Sequence, residues 1–222
     1  MSLKAIGLTF VRYEIGDPFG KLMGWASLCP VFIAFGGFTS LMMFRRELQT
    51  IFFCLGLSMS EVVNQTLKRI FHMPRPATCH ALEVCDSHGM PSSHSQYMCF
   101  FSIYCSLLVL YRLRFSDSFS KYFSLFLPWP FAIATMCSRV YLGYHTTPQI
   151  IAGALVGLTM GTWWWLVVDR TFRPHFAAWS ETSICRYLCI KDDAHIPNVL
   201  QFEYNNSIAA RRNLEKAASK MK

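Results

Sequence analysis

This sequence has little charge. Of its 222 residues 15% are Asp, Glu, Lys or Arg, whereas 53% are hydrophobic and 15% aromatic. Soluble domains carry about 25% charged residues. The deficit excludes a disordered chain, a coiled coil and most nucleic-acid modules, and no nucleic-acid partner is expected. The nine Cys are scattered through apolar runs, which argues against a disulfide-stapled secreted scaffold. The loop holding Cys79, His80, Cys85, Asp86 and His88 lacks a compact Cys-x2-Cys unit, so no metal is expected there. Cys79 and Cys85 are the one pair inside a single polar loop, and whether they bridge stays open. Paired His inside the apolar runs are missing, which argues against haem or quinone, and no cofactor is expected. No cleavable signal peptide is expected either, because no small-x-small site follows the first apolar run.

What the sequence does have is long hydrophobic runs. Five stand out: Trp25–Phe44, Ile51–Leu67, Tyr97–Tyr111, Tyr122–Ser138 and Thr147–Val168. Each approaches the length that crosses a bilayer. They predict an all-α, polytopic membrane bundle of about five transmembrane helices, spanning residues 24–173. Residues 1–23 read as an external arm. Residues 174–222 read as an interfacial segment and a basic tail, helical from Ile208. Gly153, Gly157 and Gly161 recur at four-residue spacing, which lets a second helix approach closely. Trp163, Trp164 and Trp165 suggest an aromatic belt at the membrane surface.

Basic residues orient the bundle. Arg45 and Arg46, then Arg112, Arg114 and Lys121, then Arg170 and Arg173, all fall on one side if there are five spans. The positive-inside rule makes that side cytosolic, together with the C-terminal tail. The Asn205-Asn206-Ser207 acceptor then stays unglycosylated. Lys68, Arg69, Arg75 and Arg139 lie on the other side, against the rule. Cations held there point to an anion site.

Three polar clusters meet on that second face. The first runs from Lys68 to Arg75-Pro76, the second is Pro91-Ser92-Ser93-His94, and the third runs from Ser138-Arg139 to His145 and Gln149. Arg matches phosphate oxygens with a planar fork, and Lys adds a point charge. Pro91 can open a helix whose first amides face an anion, beside the hydroxyls of Ser92 and Ser93. Of two His, one can attack phosphorus while the other protonates the leaving oxygen. Three cations supply the charge that phosphoryl transfer needs, so no metal is required.

These clusters resemble the type 2 phosphatidic acid phosphatase superfamily, whose signatures are Lys-x6-Arg-Pro, Pro-Ser-Gly-His and Ser-Arg-x5-His-x3-Asp. Order and spacing match. Within the superfamily the chain is similar to the group acting on dolichyl diphosphate. The supporting stretches are Phe44–Thr50, Gly89–Gln96, Ser138–Thr146 and Ile196–Leu200, the last outside any catalytic motif. The resemblance covers about residues 10–210. It implies a lipid phosphatase and haloperoxidase-like helical core in the endoplasmic reticulum membrane, with a lumen-facing site that removes the terminal phosphate of dolichyl diphosphate. It implies His145 as nucleophile and His94 as general acid and base, with Lys68, Arg75, Ser92, Ser93 and Arg139 on the phosphate. That reaction would recycle the lipid carrier of protein N-glycosylation.

Two residues depart from the superfamily pattern. Ser93 replaces Gly, and Gln149 replaces the Asp that orients the nucleophile. Gln149 can accept a hydrogen bond from the imidazole but cannot offset its positive charge. Glu61, one helical face from Asn64 and Lys68, is a candidate to supply that charge or to orient a His. A broader polyprenyl diphosphate or phosphatidate phosphatase is the alternative enzyme. A scaffold or lipid transporter is the alternative of another class.

Overall fold

The computed structural model describes residues 3–6, 9–115, 117–193, 195–196 and 198–220. Pro197 of the Ile196–Leu200 stretch, and Met221 and Lys222 at the end of the expected tail, lie outside them. Among the described residues the one sheet is a hairpin at the N-terminus. Strands β1 (Leu3–Ala5) and β2 (Arg12–Glu14) pair antiparallel, with Lys4 opposite Tyr13. Helices make up most of the rest.

The first helical rod is α1 (Pro18–Ser27), α2 (Cys29–Phe32) and two π-helical turns over Ile33–Phe38 and Leu41–Arg45. It starts at Pro18 rather than at Trp25. Pro18 lies in the first turn, where a missing N–H costs no hydrogen bond and its fixed φ suits the helix. The second rod is α3 (Leu48–Phe71), followed by a loop with the single turn α4 (Cys79–Leu82). The third is α5 (Ser93–Tyr111). The fourth is broken: α6 (Ser118–Phe126) ends where Pro128 opens α7 (Pro128–Tyr141). The fifth is α8 (Thr147–Val167), which runs on through π and 3-10 turns into α9 (Phe176–Ser180). After α10 (Ser183–Leu188), helix α11 (Val199–Lys220) begins well before Ile208, the start expected from composition.

Among the described residues three segments are long and apolar enough to cross a membrane: Pro18–Arg45, Ser118–Tyr141 and Thr147–Ser180. Helices α3 and α5 have 24 and 19 residues but carry more polar side chains. Those side chains face each other inside the bundle. Asn64 Nδ2 donates to Gln96 Oε1 at 2.7 Å, and Gln96 Nε2 donates to the Ser60 hydroxyl at 2.8 Å. These bonds tie the two helices at one register, while Asn64 Oδ1 is buried without a hydrogen-bond partner among the described residues.

Helix α5 packs most closely on α8, and the three glycines explain why. A Cβ on Gly153 or Gly157 would strike the carbonyl oxygen of Ser92 or Gln96, and one on Gly161 would press on Phe100. The aromatic-belt expectation needs correction. Trp164 and Trp165 are buried, and only Trp163 is exposed. Trp164 Nε1 donates to the Phe52 carbonyl at 2.7 Å, and the indole lies over Gly56, so these rings are core.

The C-terminal segment is tied to the turn before α3. Lys191 N donates to Arg46 O at 3.0 Å, Leu48 N donates to Lys191 O at 3.1 Å, and Arg45 Nη1 donates to Glu203 at 2.8 Å.

Candidate active site

The end of α3 delivers the first cation. The buried stripe of α3 passes through Ser60, Asn64 and Lys68, so Lys68 points inward from the last turn. His72 ends the helix in a left-handed conformation, and the chain then runs without regular structure through Pro74, Arg75 and Pro76. Arg75 is clamped on two sides. Its Nε donates to the Ser87 hydroxyl at 2.9 Å, and its Nη1 donates to Tyr144 O at 3.0 Å. The same Nη1 lies 3.3 Å from His145 Nε2. Burial lowers the Arg75 pKa from its ordinary value.

The second cluster is anchored to the first. Gly89 N donates to Met73 O at 2.8 Å, and Ser92 caps α5 in an extended conformation. One expectation changes here: the Ser92 amide is not free, because it donates to Gln149 O at 3.0 Å. Among the described residues the amides of Ser93, His94 and Ser95 have no acceptor. They form an open helix N-terminus of the kind that binds anions. The Ser92 hydroxyl is buried with no partner. His94, in this first turn, has Arg139, His145, Lys68 and Arg75 as its titratable neighbours.

The third cluster closes the site. Arg139 is buried in the last turn of α7. Its Nη1 donates to the Ser27 hydroxyl at 2.8 Å, its guanidinium lies 3.8 Å over the Tyr144 ring, and its Nε has no partner. Gly143 then turns the chain at φ +75, a conformation that favours glycine, and Thr78 Oγ1 donates to its carbonyl at 2.6 Å. The turn places His145 just before α8. His145 Nδ1 lies 3.0 Å from Gly89 O and 3.3 Å from Gln149 Oε1. Both are acceptors, so the ring proton sits on Nδ1 and the Nε2 lone pair faces Arg75. Burial, then the charges of Arg139 and Arg75, push the His145 pKa down to about 3. The imidazole is neutral at physiological pH.

Gln149 is a hub. Its Oε1 accepts from Thr146 N at 3.2 Å and its Nε2 donates to Pro74 O at 2.8 Å. With Ser92 N on its carbonyl, one residue touches all three clusters. Among the described residues no carboxylate lies within ion-pair distance of Lys68, Arg75 or Arg139. Buried cations ordinarily have an acidic partner, and three of them side by side favour an anion.

Glu61 meets no His, and of the two roles expected of it only an electrostatic effect on Lys68 is left. It is exposed, and its carboxylate accepts from Gln65 Nε2 at 2.5 Å rather than reaching an imidazole. It stands one residue, about 100°, off the buried Ser60–Lys68 stripe. Cys79 and Cys85 are joined in a disulfide, which removes both thiols from any metal site. Sequence reasoning missed four supports: Ser87 behind Arg75, Ser27 behind Arg139, Tyr144 under Arg139 and the Gly89 carbonyl behind His145. Only Tyr144 and Gly89 adjoin a motif; nothing in the sequence marks Ser27. The N-terminal arm was missed too. Arg12 N donates to the Tyr144 hydroxyl at 2.9 Å and Arg12 pairs with Glu83, so the arm braces the ring under Arg139.

The model of the PAP2 superfamily matches residues 49–173. Lipid phosphate phosphatase gamma of Arabidopsis thaliana is 48% identical over 218 residues, 98% of this chain and 96% of that one. Dolichyldiphosphatase 1 of Homo sapiens is 37% identical over 221 residues, covering 97% and 92% of the two chains. The Dictyostelium discoideum protein of the same name is 37% identical over 207 residues, covering 92% and 90%. No solved structure matches.

Proposed function

The chain belongs to the PAP2 superfamily, and from that premise we propose that this lipid phosphatase hydrolyses dolichyl diphosphate to dolichyl phosphate and inorganic phosphate. The observation that carries the reading is the placement of His145, its Nδ1 3.0 Å from the Gly89 carbonyl and its Nε2 3.3 Å from the Arg75 guanidinium. In the first step Nε2 attacks the terminal phosphorus. The bond from that phosphorus to the bridging oxygen breaks, and His94, which takes up a proton once the bound diphosphate offsets the cations around it, gives that proton to the departing dolichyl phosphate. Lys68, Arg75, Arg139 and the Ser92–Ser93 region hold the equatorial oxygens. In the second step His94 takes a proton from water, the water oxygen attacks phosphorus, and the phosphorus–nitrogen bond breaks. Inorganic phosphate leaves and His145 is neutral again. The three cations supply the positive charge, so the reaction runs without a metal.

The names of the relatives support both a dolichyl diphosphate and a wider lipid phosphate substrate. The first is favoured by the Phe44–Thr50 and Ile196–Leu200 stretches. Five spans, a lumenal site and a cytosolic tail in the endoplasmic reticulum complete the proposal. The Cys79–Cys85 disulfide beside the site supports an oxidising compartment on that side. The basic clusters at the other end support a cytosolic orientation there. Phosphate release by purified protein tests the reading, with dolichyl diphosphate, dolichyl phosphate and phosphatidate compared in chelator. The expected result is preference for the diphosphate, abolished by His145→Ala. Equal turnover of phosphatidate would make the broader phosphatase correct.

A further inference from the structure

Arg139 keeps its place in the site without a carboxylate. Among the described residues two neutral groups hold its guanidinium. The Ser27 hydroxyl accepts from Nη1 at 2.8 Å, and the centroid of the Tyr144 ring lies 3.8 Å away. An arginine forked onto a carboxylate is oriented by that pair itself. One that rests on a hydroxyl and a ring is only as fixed as those two groups are.

Both groups trace back to the N-terminal hairpin, which precedes all three polar clusters in the sequence. Tyr144 is buried, and among the described residues its hydroxyl bonds to hairpin backbone alone. It accepts from Arg12 N at 2.9 Å and donates to Phe10 O at 3.2 Å. Leu28, next to Ser27, is buried against Ile6 and Val11, and Leu142 packs on the same cluster. Ser27 is held from α7 as well, where Thr135 Oγ1 donates to Ala26 O at 3.0 Å. Tyr144 is therefore the contact of Arg139 that depends most on the hairpin. The hairpin is pinned in turn. Arg12 pairs with Glu83, and its Nη1 donates to Ala81 O at 3.2 Å. Both acceptors lie inside the loop closed by the Cys79–Cys85 disulfide.

We infer that Tyr144 is a positioning residue for Arg139, and that the N-terminal hairpin, acting through Tyr144, is part of the phosphate site. The ring sets where the guanidinium lies, and the hairpin sets where the ring lies. Coupling of this kind is reciprocal, so an anion bound to Arg139 also steadies the hairpin. The inference rests on the phosphate site proposed above and not on which lipid carries the phosphate.

The test is a double-mutant cycle read by inorganic phosphate binding to the full chain in detergent, followed by phosphorus NMR. Tyr144→Phe keeps the ring and removes both hydroxyl bonds, and Tyr144→Leu removes the ring as well. Phosphate affinity should fall about threefold in the first and about tenfold in the second, the size of the ring contact given up. In an Arg139→Ala background neither substitution should weaken phosphate further, because the residue through which they act is missing. A residue that merely supports the fold would cost the same in both backgrounds. Hydrogen exchange supplies a second readout. Phosphate should slow exchange of the Arg12 amide in the parent and leave it unchanged in Tyr144→Phe, where that amide has lost its acceptor. A parent that binds no phosphate would overturn the site and the inference with it. Phosphate binding by the parent, with equal losses from Tyr144→Leu in the two backgrounds or with Arg12 exchange indifferent to phosphate, would overturn the inference alone.

Discussion

His145 Nδ1 lies 3.0 Å from the carbonyl oxygen of Gly89. A backbone carbonyl thus does part of the work that the superfamily assigns to an Asp. It fixes the tautomer without adding negative charge. The fixed proton leaves the Nε2 lone pair available for the nucleophilic role proposed above, and burial, then the charges of Arg139 and Arg75, favour the neutral ring.

The amide of Gln149 can be separated from a mere acceptor. Gln149→Glu keeps an oxygen for His145 but turns the donor to Pro74 O into a second acceptor. A loss of at least about tenfold in kcat is expected, the size of one hydrogen bond lost in the transition state. Glu61→Gln, at an exposed position, should keep near-wild-type turnover. Steady-state kinetics on both variants in one membrane preparation decides this.

Arg75 works as a fork. Lys at this position cannot reach Ser87, Tyr144 O and the phosphate together. We expect Arg75→Lys to lower kcat/KM by about 10²–10³-fold, the range for removing a transition-state donor. A loss confined to KM would mean that Arg75 binds the ground state alone.

Acid should weaken the fold through His145. Its pKa is about 3 in the folded chain and near 6.5 when exposed, so between these values the unfolded state binds more protons. Stability contributed by the neutral ring is present above pH 6.5 and is lost as pH falls towards 3, at up to about 1.4 kcal/mol per pH unit. His145→Asn lacks this term. Thermal unfolding in detergent at pH 7 and pH 5 should show a smaller acid shift in Tm for the variant than for the parent.

The α5–α8 contact has no room for a side chain. Gly157→Val drives a Cβ into the Gln96 carbonyl and should cost about 1–3 kcal/mol. Gly36→Ala, where an added Cβ meets nothing within 4 Å, should be neutral. Thermal unfolding of the two variants side by side checks the contrast.

Much of this was legible in the sequence. Hydrophobic runs marked the helices, because burial in lipid demands length, and the Gly153–Gly157–Gly161 spacing marked a close-packing face without telling which helix lies on it. The motif residues were legible because their chemistry is unusual at a membrane edge. Burial direction was not. Glu61 and Ser60 are neighbours in sequence, and one turns outward while the other turns in. The three Trp looked interfacial because composition does not tell a ring packed over Gly56 from one facing lipid. Ser27 and the Gly89 carbonyl left no signal, since a hydroxyl or a backbone oxygen becomes a functional partner only through the fold.

The most direct measurement is capture of the covalent intermediate. Dolichyl diphosphate labelled in its terminal phosphate is mixed with purified protein, quenched in alkali, and the peptides are mapped by mass spectrometry. The account predicts phosphate on Nε2 of His145, enriched in His94→Ala because the second step lacks its base, and missing in His145→Ala. Phosphate on any other residue, or sustained turnover by His145→Ala, would contradict it.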